Sequence, residues 1–259
     1  MTATHPSVVF LMYHELALPG RRLLASEPGY VRYVLDAAEF AWQMRAIRDL
    51  GFRGIGVRQA LDFPSQSVAI TFDDGCETDL LSAAPVLKQL GFGATFYVVA
   101  GWIGKPGFLS AAQLRELHEA GFEIGCHSMT HPYLSDLDEA GLYREIGEAK
   151  DAIEQLLGGR IEHFSCPGGR SDHRAIRIAK QAGFETVATS VPRANRSSTN
   201  PFSLGRVAIR RGVSVDGFQN ICVGRALWKI ELSGDLRDSA KRILGNRTYD
   251  RMRSMILGK

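Results

Sequence analysis

Two clusters of residues have the types and the spacing that metal-assisted chemistry needs. Thr71-Phe72-Asp73-Asp74-Gly75 sets two adjacent carboxylates directly after an apolar run, Val68 to Phe72. Adjacent carboxylates are costly to shelter from water unless something neutralises them. Successive strand residues point to opposite sides, but where a strand opens into a loop both can turn towards one point. A cation there takes one carboxylate as a ligand and leaves the other as a base. The competing reading is a tight turn or helix start, which Asp-Asp-Gly also suits. His127-Ser128-Met129-Thr130-His131 follows a second apolar run, Phe122 to Cys126, and shifts the balance towards a metal. Histidines four apart bring two imidazoles to one ion within a single helical turn. Ser128 and Thr130 are placed to cap that turn and orient the rings. A third segment, His163 to Arg170, reads His-Phe-Ser-Cys-Pro-Gly-Gly-Arg and also lies at a strand end.

The elements that must hold these residues alternate. Apolar runs at Val8–Met12, Val68–Phe72, Thr95–Val99, Phe122–Cys126, Ile161–Ser165, Thr186–Ala188 and Val207–Ile209 read as strands. Helical patterns lie between them. Gly51-Phe52, Gly91-Phe92, Gly121-Phe122 and Gly183-Phe184 each close a helical pattern, glycine ending the helix and phenylalanine folding back on the last turn. Asp36 with Glu39, and Ser110 with Gln113, form candidate capping boxes. A further helix is expected from Asp138, with Leu142, Ile146, Ala149, Ile153 and Leu156 on one face, stopping at Gly158-Gly159. Strand and helix in alternation predict parallel strands with crossover helices. Because the unusual residues gather at strand ends, where α/β barrels carry their function, a barrel is expected rather than an open sheet. Pro19 to Tyr30, rich in Gly, Pro and Arg, reads as a loop.

The 259 residues suit an α/β barrel over residues 1–216 followed by a helical extension over 217–259. The extension carries nine basic and four acidic residues, with helices expected around Ala226–Leu232 and Ser239–Leu257. It is expected to cap the barrel; the alternative is a basic amphipathic surface that meets a membrane or an acidic partner. A net charge of +3 and the lack of any recognition motif argue against nucleic acid. No transmembrane-length run and no signal peptide are seen, so the expected location is cytoplasmic. The four cysteines, Cys76, Cys126, Cys166 and Cys222, make no Cys-x-x-Cys pair and are expected to be free thiols. Cys76, Cys126 and Cys166 fall within two residues of the motifs. They are read as small buried packing residues, with thiolate ligation or redox sensitivity as the alternative.

The Thr-Phe-Asp-Asp-Gly and His-Ser-x-Thr-His motifs, in this order, resemble those of the NodB-homology polysaccharide deacetylases, carbohydrate esterase family four. The resemblance spans Val8 to Ile209. Leu11-Met12-Tyr13-His14 and the segment from Phe164 to Gly169 are similar to the branch acting on exopolysaccharides. The resemblance implies a distorted (β/α) barrel of about seven strands. It implies Asp73 as general base and Asp74, His127 and His131 as ligands of a divalent metal. Zinc suits that donor set, with cobalt, nickel, iron or manganese as alternatives. The implied reaction removes acetyl groups from an N-acetylated glycan or glycan precursor, with a backbone N–H at Gly168 or Gly169 helping to hold the oxyanion.

Two family features are missing. Ser165 or Cys166 stands where many members carry the arginine that orients the base, leaving Arg206, or else Arg170, to supply that charge. No histidine follows His173, so the general acid must come from elsewhere, and His14 is the candidate. Two other functions compete: the same site acting on a non-sugar amide, and a catalytically silent glycan-binding module. Retention of all four site residues argues against the module.

Overall fold

The computed structural model describes residues 7–170, 172–225 and 227. Among them the strands are β1 (Ser7–Tyr13), β2 (Leu16–Ala17), β3 (Leu35–Asp36), β4 (Arg53–Ile55), β5 (Ser67–Phe72), β6 (Thr95–Val98), β7 (Glu123–Cys126), β8 (His163–Ser165), β9 (Thr186–Ala188), β10 (Asn195–Arg196) and β11 (Val207–Ala208). The main sheet runs β1-β5-β6-β7-β8-β9, all parallel, and β11 lies parallel to β1 on its other side. β9 meets the chain leading into β11 through a parallel bridge, Ala188 to Leu204, so seven parallel strands curve back towards β1. This is the distorted barrel expected. β4 was not foreseen; it wedges beside the start of β5 while β6 pairs with its end. β10 is antiparallel to β1 and covers its first two residues.

Strand alternation separates two cores. Val9, Leu11 and Tyr13 of β1 and Val68, Ile70 and Phe72 of β5 face outwards, onto Phe40, Met44 and Ile47 of the helix Ala37–Asp49. Val8, Phe10, Ala69, Tyr97 and Ala188 face the lumen. The large apolar load thus sits between sheet and helices, which leaves the lumen room for polar groups.

The Gly-Phe pairs end helices as expected. The four glycines take φ of 77°, 64°, 88° and 84°. Each following N–H reaches back five residues: Phe52 to Ile47, Phe92 to Leu87, Phe122 to Leu117 and Phe184 to Ala179. That is the Schellman closure of a helix. Ser110 and Gln113 form both bonds of a capping box. Asp36 and Glu39 do not: the Asp36 carboxylate pairs with Arg211, and Glu39 accepts from the Gly212 N–H. Both acids tie their helix to the turn after β11 instead of capping it. The expected helix after Asp138 spans Glu139–Leu157, with a π turn at Arg144–Glu148, and ends at Gly158 with φ 69°.

The helix Val215–Cys222 crosses the expected start of the C-terminal extension at residue 217, and its Phe218 is buried against Trp42. The helices expected around Ala226–Leu232 and Ser239–Leu257 lie, save Leu227, outside the described residues. Among the described residues no helix is long and apolar enough to cross a membrane.

Candidate active site

Period two carries a carboxylate into the lumen. Ala69 points inwards, Thr71 follows it, and Asp73, one residue past the end of β5, continues the same face. Its backbone N–H donates to the Tyr13 carbonyl of β1, so it is still held as strand. Then the chain breaks sharply. Asp74 has φ 80° and Gly75 φ 72°. A left-handed residue costs an ordinary side chain roughly 1–2 kcal/mol. Here it turns the second carboxylate towards the same site as the first.

Asp73 is 2% exposed and meets Arg206, which is fully buried. The two form a forked ion pair, Nη1 to Oδ1 at 2.7 Å and Nη2 to Oδ2 at 2.8 Å. The guanidinium also donates to the Ser165 hydroxyl at 2.7 Å, the Thr71 hydroxyl at 3.2 Å and the Thr189 carbonyl at 3.0 Å, and lies over the Tyr97 ring. Every arm of the fork is therefore committed. Burial alone would raise the Asp73 carboxyl; Arg206, followed by His127, overrides it and holds the group well below the usual carboxylate range. Arg170 lies elsewhere, over the Tyr133 ring.

Asp74, His127 and His131 converge, with one ligand atom from each within 4.8 Å of the others. Asp74 Oδ1 lies 3.7 Å from His127 Nε2 and 3.5 Å from His131 Nε2. His127 Nδ1 bonds the Ser165 carbonyl at 2.8 Å. A carbonyl only accepts, so Nδ1 carries the proton and the Nε2 lone pair faces Asp74. Burial pushes His127 down to about 3, against the pull of Asp73, and burial also lowers His131. Both rings are neutral at neutral pH, as metal ligands must be. Burial, opposed by His14 and reinforced by Asp73, raises Asp74 to about 6. Its Oδ1 is buried without a hydrogen-bond partner. An orphaned carboxylate oxygen facing two imidazole lone pairs fits a divalent cation, and two nitrogens with one oxygen are a zinc-type donor set that leaves a position open.

The histidines do not share a helical turn. Residues 127–131 form a bend in which Ser128 has φ 70° and His131 φ 65°. The bend is closed by the His131 N–H donating to the Ser128 hydroxyl at 2.9 Å. Thr130 does not cap; its hydroxyl donates to Glu145.

His14 follows β1, whose Tyr13 registers with Phe72, so it leaves its strand on the same rim as Asp73. Its Nδ1 is buried without a hydrogen-bond partner, and its ring packs on Tyr33. Gly168 (φ 62°) and Gly169 (φ 70°) form the turn after β8, where a Cβ would collide with Tyr133 and Ser190 respectively. The Gly169 N–H is committed to the Cys166 carbonyl at 2.8 Å, which removes it as an oxyanion donor.

His163 does not join the site. It opens β8 at the opposite end of the barrel, bonded to Thr186 Oγ1 at 3.0 Å and 3.7 Å from Glu123. The four cysteines are buried and unbridged. Burial pushes the Cys126 thiol up to about 12 and Cys76 well above its ordinary value, so both are protonated packing groups rather than thiolate ligands.

Four neighbours of the site escaped the sequence reading: the Ser165 hydroxyl, the Tyr97 ring, Glu145, and Trp102, whose ring stacks on His131 at 5.4 Å. Tyr97 and Ser165 follow from strand alternation along β6 and β8; Trp102 and Glu145 depend on the placement of helical turns.

The polysaccharide deacetylase family model matches residues 60–187. A peptidoglycan-N-acetylglucosamine deacetylase of Bacillus cereus is 32% identical over 135 residues, 52% of this chain and 61% of that protein. A poly-beta-1,6-N-acetyl-D-glucosamine N-deacetylase of Staphylococcus aureus is 22% identical over 209 residues, covering 73% of this chain and 71% of the relative. The fold matches the Streptococcus pyogenes deacetylase PplD, solved in complex with acetate. The TM-score is 0.74 at 22% identity, over 85% of this chain and 99% of the other. Both motifs fold into one site at the end of such a barrel, and Asp73, Asp74, His127 and His131 all lie inside the stretch that matches the polysaccharide deacetylase model.

Proposed function

We propose that the domain is a metal-dependent hydrolase that removes the acetyl group from N-acetylated sugars of a polysaccharide or its precursor and releases acetate. One observation carries the reading. An ionised carboxylate, Asp73, is fixed by Arg206 with its Oδ2 3.7 Å from the Nε2 of His127, beside the orphaned Asp74 oxygen. Asp74, His127 and His131 would hold a divalent metal, and zinc suits the set best. When bound, such an ion polarises the amide carbonyl and makes water a stronger acid. Asp73 accepts the proton of the attacking water on a carboxylate oxygen. Arg206 keeps that carboxylate anionic and oriented, at the cost of basicity, so the base works only on water already acidified. The Gly168 N–H is the backbone donor for the oxyanion. His14 delivers a proton to the leaving amine.

The Staphylococcus aureus relative, named for poly-beta-1,6-N-acetyl-D-glucosamine, supports an exopolysaccharide substrate. The Bacillus cereus relative supports a peptidoglycan one. The basic residues beyond 227 are the segment that would meet an anionic membrane and bring a lipid-linked precursor within reach.

Acetate release from β-1,6-linked and β-1,4-linked N-acetylglucosamine oligomers, with ureides and formamides as non-sugar amides, tests the reading. Zinc-dependent release from a glycan oligomer is expected, with Asp73→Asn lowering kcat at least a hundredfold. Full activity of that variant, or of fully demetallated protein, would overturn the mechanism. Turnover of a ureide with none of the glycans would move the chain to the non-sugar amide hydrolases.

A further inference from the structure

The bend that carries both histidines is an unfavourable piece of backbone. Ser128 and His131 both sit in the left-handed region, and neither is glycine. Such conformations persist only where surrounding groups over-determine them. On one side the chain after β6 holds the bend, Ala100 N–H to Ser128 O at 3.0 Å and Gly101 N–H to Met129 O at 2.9 Å. On the other side stands one carboxylate. Glu145 Oε2 accepts from the Met129 N–H at 2.9 Å and the Thr130 N–H at 2.8 Å, and Oε1 accepts the Thr130 hydroxyl at 2.6 Å. Glu145 is 9% exposed and lies in the π turn Arg144–Glu148, the interruption of an otherwise regular helix. Single π turns in helices recur at functional sites.

We propose that Glu145 is the positioning residue of the metal site, setting the affinity for the ion by clamping the bend between His127 and His131. The inference rests on the metal-site reading above. Glu145 touches neither histidine ring, so it acts through the backbone. A carboxylate is suited because it offers acceptors only, and three donors converge on it. Leucine in its place removes every acceptor and leaves the Met129 and Thr130 N–H groups without their partner. The bend would then open, and the His131 ring, which it places 3.5 Å from Asp74, would lose its fixed direction. A merely structural Glu145 would instead stabilise the fold with or without metal and leave ion affinity alone.

The experiment measures Zn2+ affinity of the full chain by chelator competition, with the visible spectrum of the Co2+ form and the melting temperature of the metal-free form alongside. Glu145→Leu should bind Zn2+ roughly 10- to 100-fold more weakly, with a changed Co2+ spectrum. Thr130→Val keeps Glu145 and removes one of its three bonds, and should weaken binding by about threefold or more. It serves as the folded variant if Glu145→Leu does not fold. Folded variants that match the parent in Zn2+ affinity and Co2+ spectrum overturn the proposal while leaving the metal site standing. A parent chain that binds neither ion overturns both.

Discussion

At the scale of single residues, Arg206 decides what Asp73 can be. A buried carboxylate left alone protonates, and the forked guanidinium reverses that. Because the Asp73 pKa is depressed, the stability that this pair supplies is present above the unfolded carboxylate value and disappears only as pH falls through the lower folded value. Arg206→Met leaves a buried charge unpaired, with an expected loss of about 3–5 kcal/mol by denaturant titration. Arg206→Lys keeps the charge and loses the fork. Burial of Asp73 then meets weaker opposition, so the acid limb of the kcat/KM profile should move to higher pH. Asp74 works in the opposite sense. Its metal-free value of about 6 lies above the ordinary 3.8. Its contribution favours the fold below the unfolded value and is lost as pH rises through about 6. Metal binding needs the ionised form. The rise in melting temperature on adding Zn2+ should therefore be larger at pH 7 than at pH 5, as paired melts with and without the ion would read.

At the scale of elements, local signals split by whether a competing partner was in reach. Ser110 caps the helix Ala111–Glu119, its hydroxyl accepting from the Gln113 N–H at 3.2 Å. Asp36, with the same local signal, meets Arg211 across the fold and leaves its helix uncapped. Ser110→Ala should therefore cost about 1 kcal/mol, and Asp36→Ala less, since only an exposed ion pair is lost; chemical denaturation of the two variants separates them. The four-residue spacing of the histidines suits one helical turn. The chain instead uses a strained bend held by Glu145, a glutamate fourteen residues past His131 that no local pattern marks.

At the scale of the whole molecule, closure of the barrel completes the site. β11 lies against β1 and delivers Arg206, the residue before it, into the lumen 133 positions away from Asp73. The helix Val215–Cys222 then seals the outer layer with Phe218 and Cys222 buried. Ending the chain after Gly217 removes both from the core. A loss of roughly 3–5 kcal/mol is expected, by analogy with deleting a buried phenylalanine side chain. Ending it after Leu227 keeps both. The shorter cut confounds folding with any membrane role of the tail; the longer one isolates it, in a vesicle-binding assay with anionic lipid.

The sequence by itself determined the parts that follow from local rules. Apolar runs in alternation with helical patterns specified the parallel barrel, and glycine followed by phenylalanine marked the helix ends. The Asp-Asp-Gly and histidine motifs, each directly after a strand, marked the candidate ligand set because strand ends share one rim of a barrel. Tertiary structure alone decided what depends on distant partners. Arg206 became the partner of Asp73, and Arg170 did not, through the curvature that brings β11 to β1. His163 fell to the opposite end because its strand begins, rather than ends, with it. The physical reason is range: turns, caps and alternation act over a few residues, whereas an ion pair or a clamp is set by which surfaces the finished sheet brings together.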